Sequence, residues 1–395
     1  MPKPFKKIDK KYLSKAYTNI FSPALDTVPE LPKLEARGNR PLQMTFEDQL
    51  RILVYFHLQE HKSGRHLLQE LEENKFVKAV IAPQAGIKKS SFSEAINTRG
   101  LEQLIILFEK LQQKAAKRIP KRDKHLGDIV AIDGSVIEAV PSMHWADYSQ
   151  TQKKAKVHLG FDINRGFPKK LCLSDCKVDE RPFASHLLEK GQTGVMDRNY
   201  QKYNMFDLWQ EEGKHFVCRI RVDAKKTILK SYEIKPESIV FYDAIVLLGT
   251  AKVNQTKKKV RVVAYRVKNI EYWIATDRLD LSAEDVANIY KLRWDIETFF
   301  AWWKRHLKVY PIIARSKYGL MVQLLAGLIT YILLAIYCHE QYQEKVSIQR
   351  VRELRIQIQN EVQSSLESSS NKTKKRKPMP ESYNEQLLFN LTAKT

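Results

Sequence analysis

The sequence predicts an α/β (α+β) protein in which a mixed sheet with flanking helices follows an all-helical N-terminal domain. From residue 45 to about residue 120, apolar residues recur at helical spacing. From residue 128 the pattern changes to three strands, then helix, strand, helix and strand, an order typical of a mixed sheet. Between residues 226 and 277 the chain is largely strand-like with lysine-rich turns, which indicates a β-rich insertion.

The first two segments differ in their helix signals. Residues 1–44 are basic and rich in proline, which disfavours long helices, so we expect an irregular N-terminal arm. A helical domain is predicted for residues 45–125, and its first helix opens with the capping pattern Thr45-x-x-Asp48.

One stretch of this domain, "AGIKKSSFSEAINTRG" at 85–100, looks like the turn and second helix of a helix-turn-helix. A plain helical hairpin explains the same pattern equally well. In the first interpretation, the candidate DNA contacts are Lys88, Lys89, Asn97 and Arg99.

The remaining segments complete the predicted domain organisation. A catalytic α/β domain is expected at 126–225 and 278–342, interrupted by the β-rich insertion at 226–277. Residues 343–395 should form a helix followed by a polar, basic and disordered tail. The apolar stretch 320–338 is long enough to span a bilayer, but a central helix covered on all sides explains it better.

The charge balance points to a polyanionic partner. The 395 residues include 67 Lys and Arg against 45 Asp and Glu, a formal net charge of +22, and distributed cations of this kind favour nucleic acid. A membrane surface and a solubility device are the alternatives. Four cysteines form no disulfide framework, and the N-terminus lacks a signal-peptide pattern, so a cytoplasmic protein is expected.

Two carboxylates stand out because they end apolar strands. Asp133 ends "IVAID" and Asp197 ends "TGVMD", positions that point into the crevice where α/β proteins bind ligands. Each alone could simply cap the turn that follows. A third carboxylate, Glu297, lies on a later helix, and three carboxylates without a His or Cys cluster suit two Mg²⁺ or Mn²⁺ ions.

Glu297 lies in a stripe of donors along the segment "YKLRWDIETFFAWWKRHLK", residues 290–308. Tyr290, Arg293 and Lys304 share one face of the predicted helix with it. A simple ion pair explains Arg293 and Glu297 alone. If Glu297 faces metal, the other three side chains are placed to hold the phosphates of a bound strand.

The spacing Tyr290-x₂-Arg293-x₃-Glu297-x₆-Lys304 resembles the Tyr-Arg-Glu-Lys signature of bacterial insertion-sequence transposases, DDE enzymes with a ribonuclease-H-like core. "DRNY" at 197–200 is similar to that family's Asp-Arg-Gly-Tyr, with Asn in place of Gly. "IDGSVI" resembles its first strand end, and the β-rich block before the glutamate is a further feature that the family shares.

The resemblance implies the roles of individual residues. Asp133, Asp197 and Glu297 would be the catalytic metal ligands, and further contacts to the transposon end would come from Tyr290, Arg293, Lys304, Arg198, Tyr200 and Arg219. Trp273 occupies a place similar to the tryptophan that holds a flipped base in relatives, although strand core explains it equally well.

The function that the resemblance implies is cut-and-paste transposition. The enzyme would cleave the element ends, pass through a hairpin intermediate and join the 3′-hydroxyl ends to target DNA. Its partners would be the terminal inverted repeats and target duplex, bound by a homodimer in a synaptic complex, with no membrane partner. A transposase-derived DNA-binding regulator without cleavage, or another ribonuclease-H-like endonuclease, is the alternative.

Overall fold

The computed structural model describes residues 15–35, 42–59, 61, 63–149, 151–306, 312–347, 349–358 and 360. The predicted basic tail lies outside the described residues. The predicted irregular arm is described at 15–35 and 42–44, and there the expectation is wrong: Lys15–Leu25 is helical and packs into the core through Tyr17, Ile20 and Phe21. The helices are α1 (Lys15–Leu25), α2 (Phe46–Leu58), α3 (Gly64–Glu73), α4 (Lys75–Val80), α5 (Lys89–Thr98), α6 (Leu101–Arg118), α7 (Arg181–Leu187), α8 (Tyr203–Glu211), α9 (Ala283–Leu292), α10 (Trp294–His306) and α11 (Lys317–Tyr342). Three-residue 3₁₀ turns occupy Val28–Glu30, His144–Ala146 and Arg198–Tyr200.

In the described part of the chain, the strands form one nine-stranded sheet of order β3-β2-β1-β4-β5-β9-β8-β7-β6. The strands are β1 (Ile129–Glu138), β2 (Lys154–Asp162), β3 (Phe167–Asp175), β4 (Thr193–Met196), β5 (His215–Ile220), β6 (Lys226–Ser231), β7 (Val240–Leu248), β8 (Val260–Val267) and β9 (Ile270–Thr276).

The first five strands form the mixed sheet that the sequence predicts. β1, β2 and β3 are an antiparallel meander, while β4 lies parallel to β1 on its other side and β5 lies parallel to β4. The crossover helices α7 and α8 connect the later strands. This order is that of a ribonuclease-H-like core, so the predicted fold class is confirmed.

The β-rich block 226–277 extends this sheet. Its four strands are antiparallel neighbours, and β9 pairs directly with β5 along Val217–Ile220. Backbone hydrogen bonds therefore join the block rigidly to the core strand next to β4. The catalytic core and the insertion share one continuous sheet.

The two faces of the sheet carry separate cores. One, here called the α10 face, packs against the N-terminal helices and α9, α10 and α11, and its buried strand residues include Ala131, Val195 and Val217. The other, here called the α8 face, packs against α7 and α8 and includes Ile132 and Met196. Because neighbouring strand residues point to opposite faces, one position along a strand decides which core a side chain joins.

Helix α11 explains the bilayer-length apolar stretch. It is long and apolar enough to cross a membrane, yet 94% of its most apolar window is buried inside the protein. Its neighbours are α1, α2, α5, α6 and strand β3. It is the central helix of the helical layer, as its composition predicts, and it ties the N-terminal helices to the catalytic core.

The start of α2 confirms the predicted capping pattern. The side chain of Thr45 accepts a hydrogen bond from the Asp48 backbone N–H, and the Asp48 carboxylate accepts one from the Thr45 N–H. This reciprocal pair satisfies two donors that a helix start leaves free. The domain boundaries themselves remain predictions, because α11 links segments that they separate.

Candidate active site

Asp133 lies on β1 on the α10 face, as the alternation from buried Ala131 requires. One oxygen of its carboxylate, Oδ1, accepts the Gly134 backbone N–H at 2.8 Å. A Cβ at position 134 would lie 2.4 Å from Glu180 Oε2, so any other residue there would require the Glu180 side chain to move. A small residue at 134 therefore lets β1 run on beneath the N-terminus of α7.

Asp197 follows the last residue of β4. Its side chain caps the short 3₁₀ turn Arg198–Tyr200 by accepting the Asn199 N–H at 2.9 Å. Ala131 pairs with Val195 in the parallel β1–β4 ladder, so Asp133 and Asp197, two residues further on, are level with each other. The turn-capping role considered from sequence is present, and the sheet also brings the two acids together.

Glu297 reaches the same place from α10. The predicted long helix is interrupted at Arg293, where α9 has ended at Leu292 and α10 begins at Trp294. Arg293 Nη2 binds Glu297 Oε1, and Arg293 Nη1 lies 3.7 Å from Asp133 Oδ2. A single guanidinium therefore bridges the helix carboxylate and the strand carboxylate.

The surroundings of Asp133 change the pKa of its carboxyl group. The pKa of Asp133 is raised to about 6, chiefly by burial; the charges of Asp197 and Glu297 add to the rise, whereas the Gly134 N–H and Arg293 oppose it. Arg293 has only 12% of its side chain exposed. A buried carboxylate beside two others is costly unless a cation compensates it, so this site favours positive charge beyond that of Arg293.

Aromatic rings support Arg293 from behind. Its guanidinium lies 5.8 Å from the Tyr290 ring centroid, and Tyr290 in turn lies 6.1 Å from Tyr272. Arg219 on β5 covers Tyr272 at 4.8 Å. Tyr290 is only 6% exposed, so its ring lies beneath the guanidinium. Cation–π contacts of this kind orient both arginines.

Lys304 lies at the far end of the predicted stripe. Its ammonium donates to the Val136 carbonyl of β1 at 2.8 Å, and burial lowers its pKa. The contact ties α10 to β1 three residues beyond Asp133. The structure thus brings Tyr290, Arg293 and Glu297 together and places Lys304 at the neighbouring strand end.

The donor set fits divalent metal ions by its chemistry. Carboxylate oxygens are the ligands that Mg²⁺ and Mn²⁺ prefer, and the three acids surround a region where negative charge is undercompensated. In the described residues, no group of three His, Cys, Asp or Glu side chains is arranged to hold a metal as it stands. Arg293 pairs with two of the three carboxylates, Asp133 and Glu297.

Two expected DNA contacts after Asp197 differ in accessibility. Arg198 is exposed, as a phosphate contact requires. Tyr200 is 1% exposed and packs in the core of the α8 face. The 3₁₀ turn directs the Tyr200 ring into this core, so Tyr200 is not accessible to DNA in this structure.

Trp273 lies on the other face of the sheet, and its expected base-flipping role stays a prediction. Its indole packs with the core of the α8 face, between Phe241 at 5.7 Å and Tyr242 at 5.0 Å, with Lys226 Nζ 4.5 Å above the ring. It therefore lies across the sheet from Asp133. The aromatic residue of β9 on the α10 face is Tyr272, which sequence analysis missed because the alternation alone does not say which face is which.

The predicted helix-turn-helix residues have mixed environments. Lys88 and Lys89 are exposed at the start of α5. Asn97 Oδ1 accepts the backbone N–H groups of Arg315 and Ser316, at 2.8 and 3.1 Å. Asn97 is thus used to hold the start of α11. Arg99 buries its Nε without a partner, and the interpretation as a DNA-binding motif remains a prediction.

Trp294 is an exposed aromatic residue of α10. Phe299, Phe300 and Trp303 on the same helix are buried, whereas Trp294 is 65% exposed. It directly follows Arg293 in the chain, at the start of α10.

Comparison with known proteins agrees with this geometry. The family model described as "Transposase DDE domain" matches residues 124–333. A probable transposase for insertion sequence element IS5377 from Geobacillus stearothermophilus is 26% identical over 332 residues, which cover 80% of this chain and 83% of that protein. A putative transposase for insertion sequence element IS4SA from Synechocystis is 23% identical, over 62% of this chain and 70% of that protein.

One solved structure also aligns, a piggyBac transposase synaptic complex with hairpin DNA. The TM-score is 0.41 and the identity 12%, over 94% of this chain and 82% of the other. A likeness of this size supports no conclusion about mechanism.

Proposed function

The chain belongs to the transposase DDE-domain family, as an insertion-sequence transposase, and from this premise we propose that it cuts and pastes its element by two-metal-ion phosphoryl transfer. Asp133, Asp197 and Glu297 are the proposed catalytic residues and metal ligands. The observation that carries the proposal is the buried guanidinium of Arg293, which binds both Asp133 and Glu297.

That observation favours metal chemistry for an electrostatic reason. The pKa of Asp133 is raised to about 6 chiefly by burial, although Arg293 lies beside it. One guanidinium therefore leaves the site short of positive charge. Bound Mg²⁺ or Mn²⁺ ions would supply that charge, activate the attacking hydroxyl and stabilise the leaving oxygen of the phosphodiester.

Arg293 is also proposed to contact a phosphate of the DNA. When Glu297 turns to a metal ion, the guanidinium is released from one partner and is free to bind a phosphate oxygen of the DNA. Its position is retained by the Tyr290 ring at 5.8 Å. Lys304, Arg198 and Arg219 provide further cations on the path of the backbone, and Trp294 offers an exposed stacking surface.

The wider reaction follows from the family. We propose that a metal-activated water frees a 3′-hydroxyl at each end, that this hydroxyl attacks the opposite strand to form a hairpin, and that the reopened end joins target DNA. Two ends must be held together, so the active form is a homodimer in a synaptic complex. The substrate is nucleoid DNA in the bacterial cytoplasm.

A cleavage assay with the DNA that flanks the gene tests this proposal. The protein should nick a duplex carrying the terminal inverted repeat in the presence of Mg²⁺ or Mn²⁺, and not with chelator. A gel shift on the same duplex is run in parallel. Binding without nicking in either metal would leave only the DNA-binding regulator.

The hairpin step needs its own measurement. On a denaturing gel, a covalently closed end migrates as a species of twice the strand length and is resolved from the nicked product. Accumulation of this species before double-strand ends appear would support the hairpin route. Direct appearance of double-strand ends, with both strands cut by water, would contradict that step while leaving the metal proposal intact.

A further inference from the structure

A wide basic groove, here called the α8 groove, opens on the α8 face beside the acidic site. Its cavity volume is about 1240 Å³. The groove extends from the N-terminus of α7, past the turn after Asp197, to the β7–β8 turn of the insertion. Arg198 lines it and directly follows Asp197, so one end of the groove adjoins the proposed catalytic centre.

Five cations of the α8 groove have no ion-pair partner among the described residues. Arg198, Lys202, Arg221, Lys225 and Lys257 all line it and are exposed. Among the described residues, no carboxylate lies within ion-pair distance of these five, whereas Arg293 and Arg261 are paired. Unpaired cations within about 10 Å of one another repel, a cost that a bound polyanion removes.

Three of the four acids that line the groove are engaged, and the fourth, Asp223, is exposed. Asp179 binds Arg181 at 2.9 Å, and Glu180 lies 3.8 Å from Lys156. Asp207 accepts two backbone N–H groups of the β7–β8 turn, each at 2.9 Å. These contacts shape the walls of the groove and leave its surplus of positive charge uncompensated.

The volume of the groove indicates the size of the ligand that it can hold. Drug-sized ligands occupy about 300–1,000 Å³, so a cavity of about 1240 Å³ holds a few nucleotides. The wall also carries the half-buried ring of Tyr203, whose hydroxyl accepts a hydrogen bond from Gln201 Nε2 at 3.0 Å. A cationic groove with an aromatic wall is the usual form of a single-strand site.

We propose that the α8 groove binds a single-stranded DNA segment of a few nucleotides, the strand displaced from the duplex at the cleavage site. This inference rests on the proposed function, because both strands of an end must in turn reach one acidic centre. Opening the duplex costs about a few kcal/mol, and a groove that captures the displaced strand offsets this cost.

The test is single-strand binding by the full chain carrying Asp133→Asn, so that no cleavage intervenes. The probe is a labelled single-stranded oligonucleotide of roughly ten nucleotides, followed by fluorescence anisotropy. Adding Lys202→Glu and Arg221→Glu should lower single-strand affinity at least about tenfold and reduce the salt slope by about 1.4. Affinity for a blunt duplex of equal length should change by less than about threefold.

The matched control is Lys117→Glu with Lys124→Glu, the same charge change at exposed positions of α6 and of the loop before β1. It should leave single-strand affinity within about twofold of the parent. Equal losses in the control and groove variants, or equal losses for single strand and duplex, would overturn the proposal. So would full displacement of the oligonucleotide by inorganic phosphate at equal phosphate concentration.

A second variant separates stacking from charge. Tyr203→Leu keeps an apolar side chain but removes the aromatic face, and single-strand affinity should fall about fivefold or more. An unchanged affinity contradicts the stacking wall. Failure of wild-type cleavage with retained selective single-strand binding would contradict the transposase proposal alone, whereas cleavage without selective single-strand binding would contradict the groove alone.

Discussion

The two faces of the sheet handle charge in opposite ways. On the α10 face, the largely buried Arg293 binds two partly exposed carboxylates, so the charges there are paired. In the α8 groove, exposed cations such as Lys202 and Arg221 have no carboxylate within ion-pair distance in the described part of the chain. Paired charges provide fixed geometry, while exposed unpaired cations attract a mobile polyanion.

One sheet can therefore carry the proposed catalytic carboxylates on one face and a groove proposed to bind a DNA strand on the other. Asp133 and Asp197 are level with each other because Ala131 pairs with Val195 in the parallel β1–β4 ladder. Arg198 is the next residue along, and it already lines the α8 groove. Asp197 and Arg198 are thus consecutive residues, one at the acidic site and one in the α8 groove. The following predictions test these two regions separately.

The largest expected effect is on cleavage. Glu297→Gln removes the helix carboxylate, and we expect single-turnover cleavage to fall about a thousandfold or more, with DNA affinity within about threefold. Asp295→Asn is the matched control, since Asp295 is on the same helix but binds the exposed Arg122 at 3.1 Å. Cleavage by Glu297→Gln at the wild-type rate would remove Glu297 from the proposed metal ligands.

The next effect is on stability. Arg293→Ala leaves Asp133 and Glu297, whose side chains are 23% and 33% exposed, without their shared cation, and the free energy of unfolding should fall by about 1–2 kcal/mol. Because guanidinium and metal compete for the same carboxylates, Mg²⁺ should raise the Tm of this variant more than that of the wild type. Thermal unfolding with and without Mg²⁺ measures both quantities.

Arg122→Ala provides the comparison for that variant. It breaks an ion pair whose partners are 37% and 34% exposed, so a loss below about 1 kcal/mol is expected. An identical Mg²⁺-induced change in Tm for Arg293→Ala and the wild type would show that Arg293 does not occupy a metal-binding region.

A third prediction concerns pH and β2. Burial, with the charge of Lys156, lowers the pKa of His158 to about 4, and its Nε2 lies 2.8 Å from Ser174 Oγ. The unfolded chain binds this proton near pH 6.5 and the folded chain does not. The His158 contribution should therefore lower the free energy of unfolding by at most about 3 kcal/mol as the pH drops from 6.5 towards 4, whereas Asp133, with its pKa raised to about 6, contributes in the opposite direction.

Chemical unfolding across this pH range tests the assignment. His158→Gln removes the titrating group, so this variant should lose less stability than the wild type as the pH falls through that window. The exposed His125→Gln serves as control and should retain the wild-type profile. A wild-type profile for His158→Gln would assign the acid loss of stability to other groups.

The smallest effect is expected at Trp294, which is 65% exposed beside Arg293. If its indole stacks on a base of the transposon end, Trp294→Ala should weaken DNA binding about fivefold, or about 1 kcal/mol, with an unchanged Tm. Trp273→Ala on the α8 face should do the reverse, lowering the Tm because it leaves a void between Phe241 and Tyr242. A gel shift and a melting curve on each variant check the pair.

Much of the fold follows from local patterns. The strand order, the hairpin around Asn164-Arg165-Gly166 and the helices α7 and α8 lie where periodicity and turn residues predict them. The acidic trio was also predictable, since a carboxylate that ends an apolar strand is recognisable in sequence. The break between α9 and α10 was not, because Arg293 keeps helical backbone angles and its neighbours show no Gly or Pro.

The sequence by itself determined the order of the elements, the capping of α2 and the three carboxylates, because these depend on neighbouring residues. The tertiary structure alone decided that Tyr272 faces the acids and Trp273 faces away, that Arg293 bridges two carboxylates, and that the α8 groove adjoins them. The physical reason is register. Alternation along a strand fixes which residues share a face, but only pairing with distant strands decides which face meets the catalytic helix.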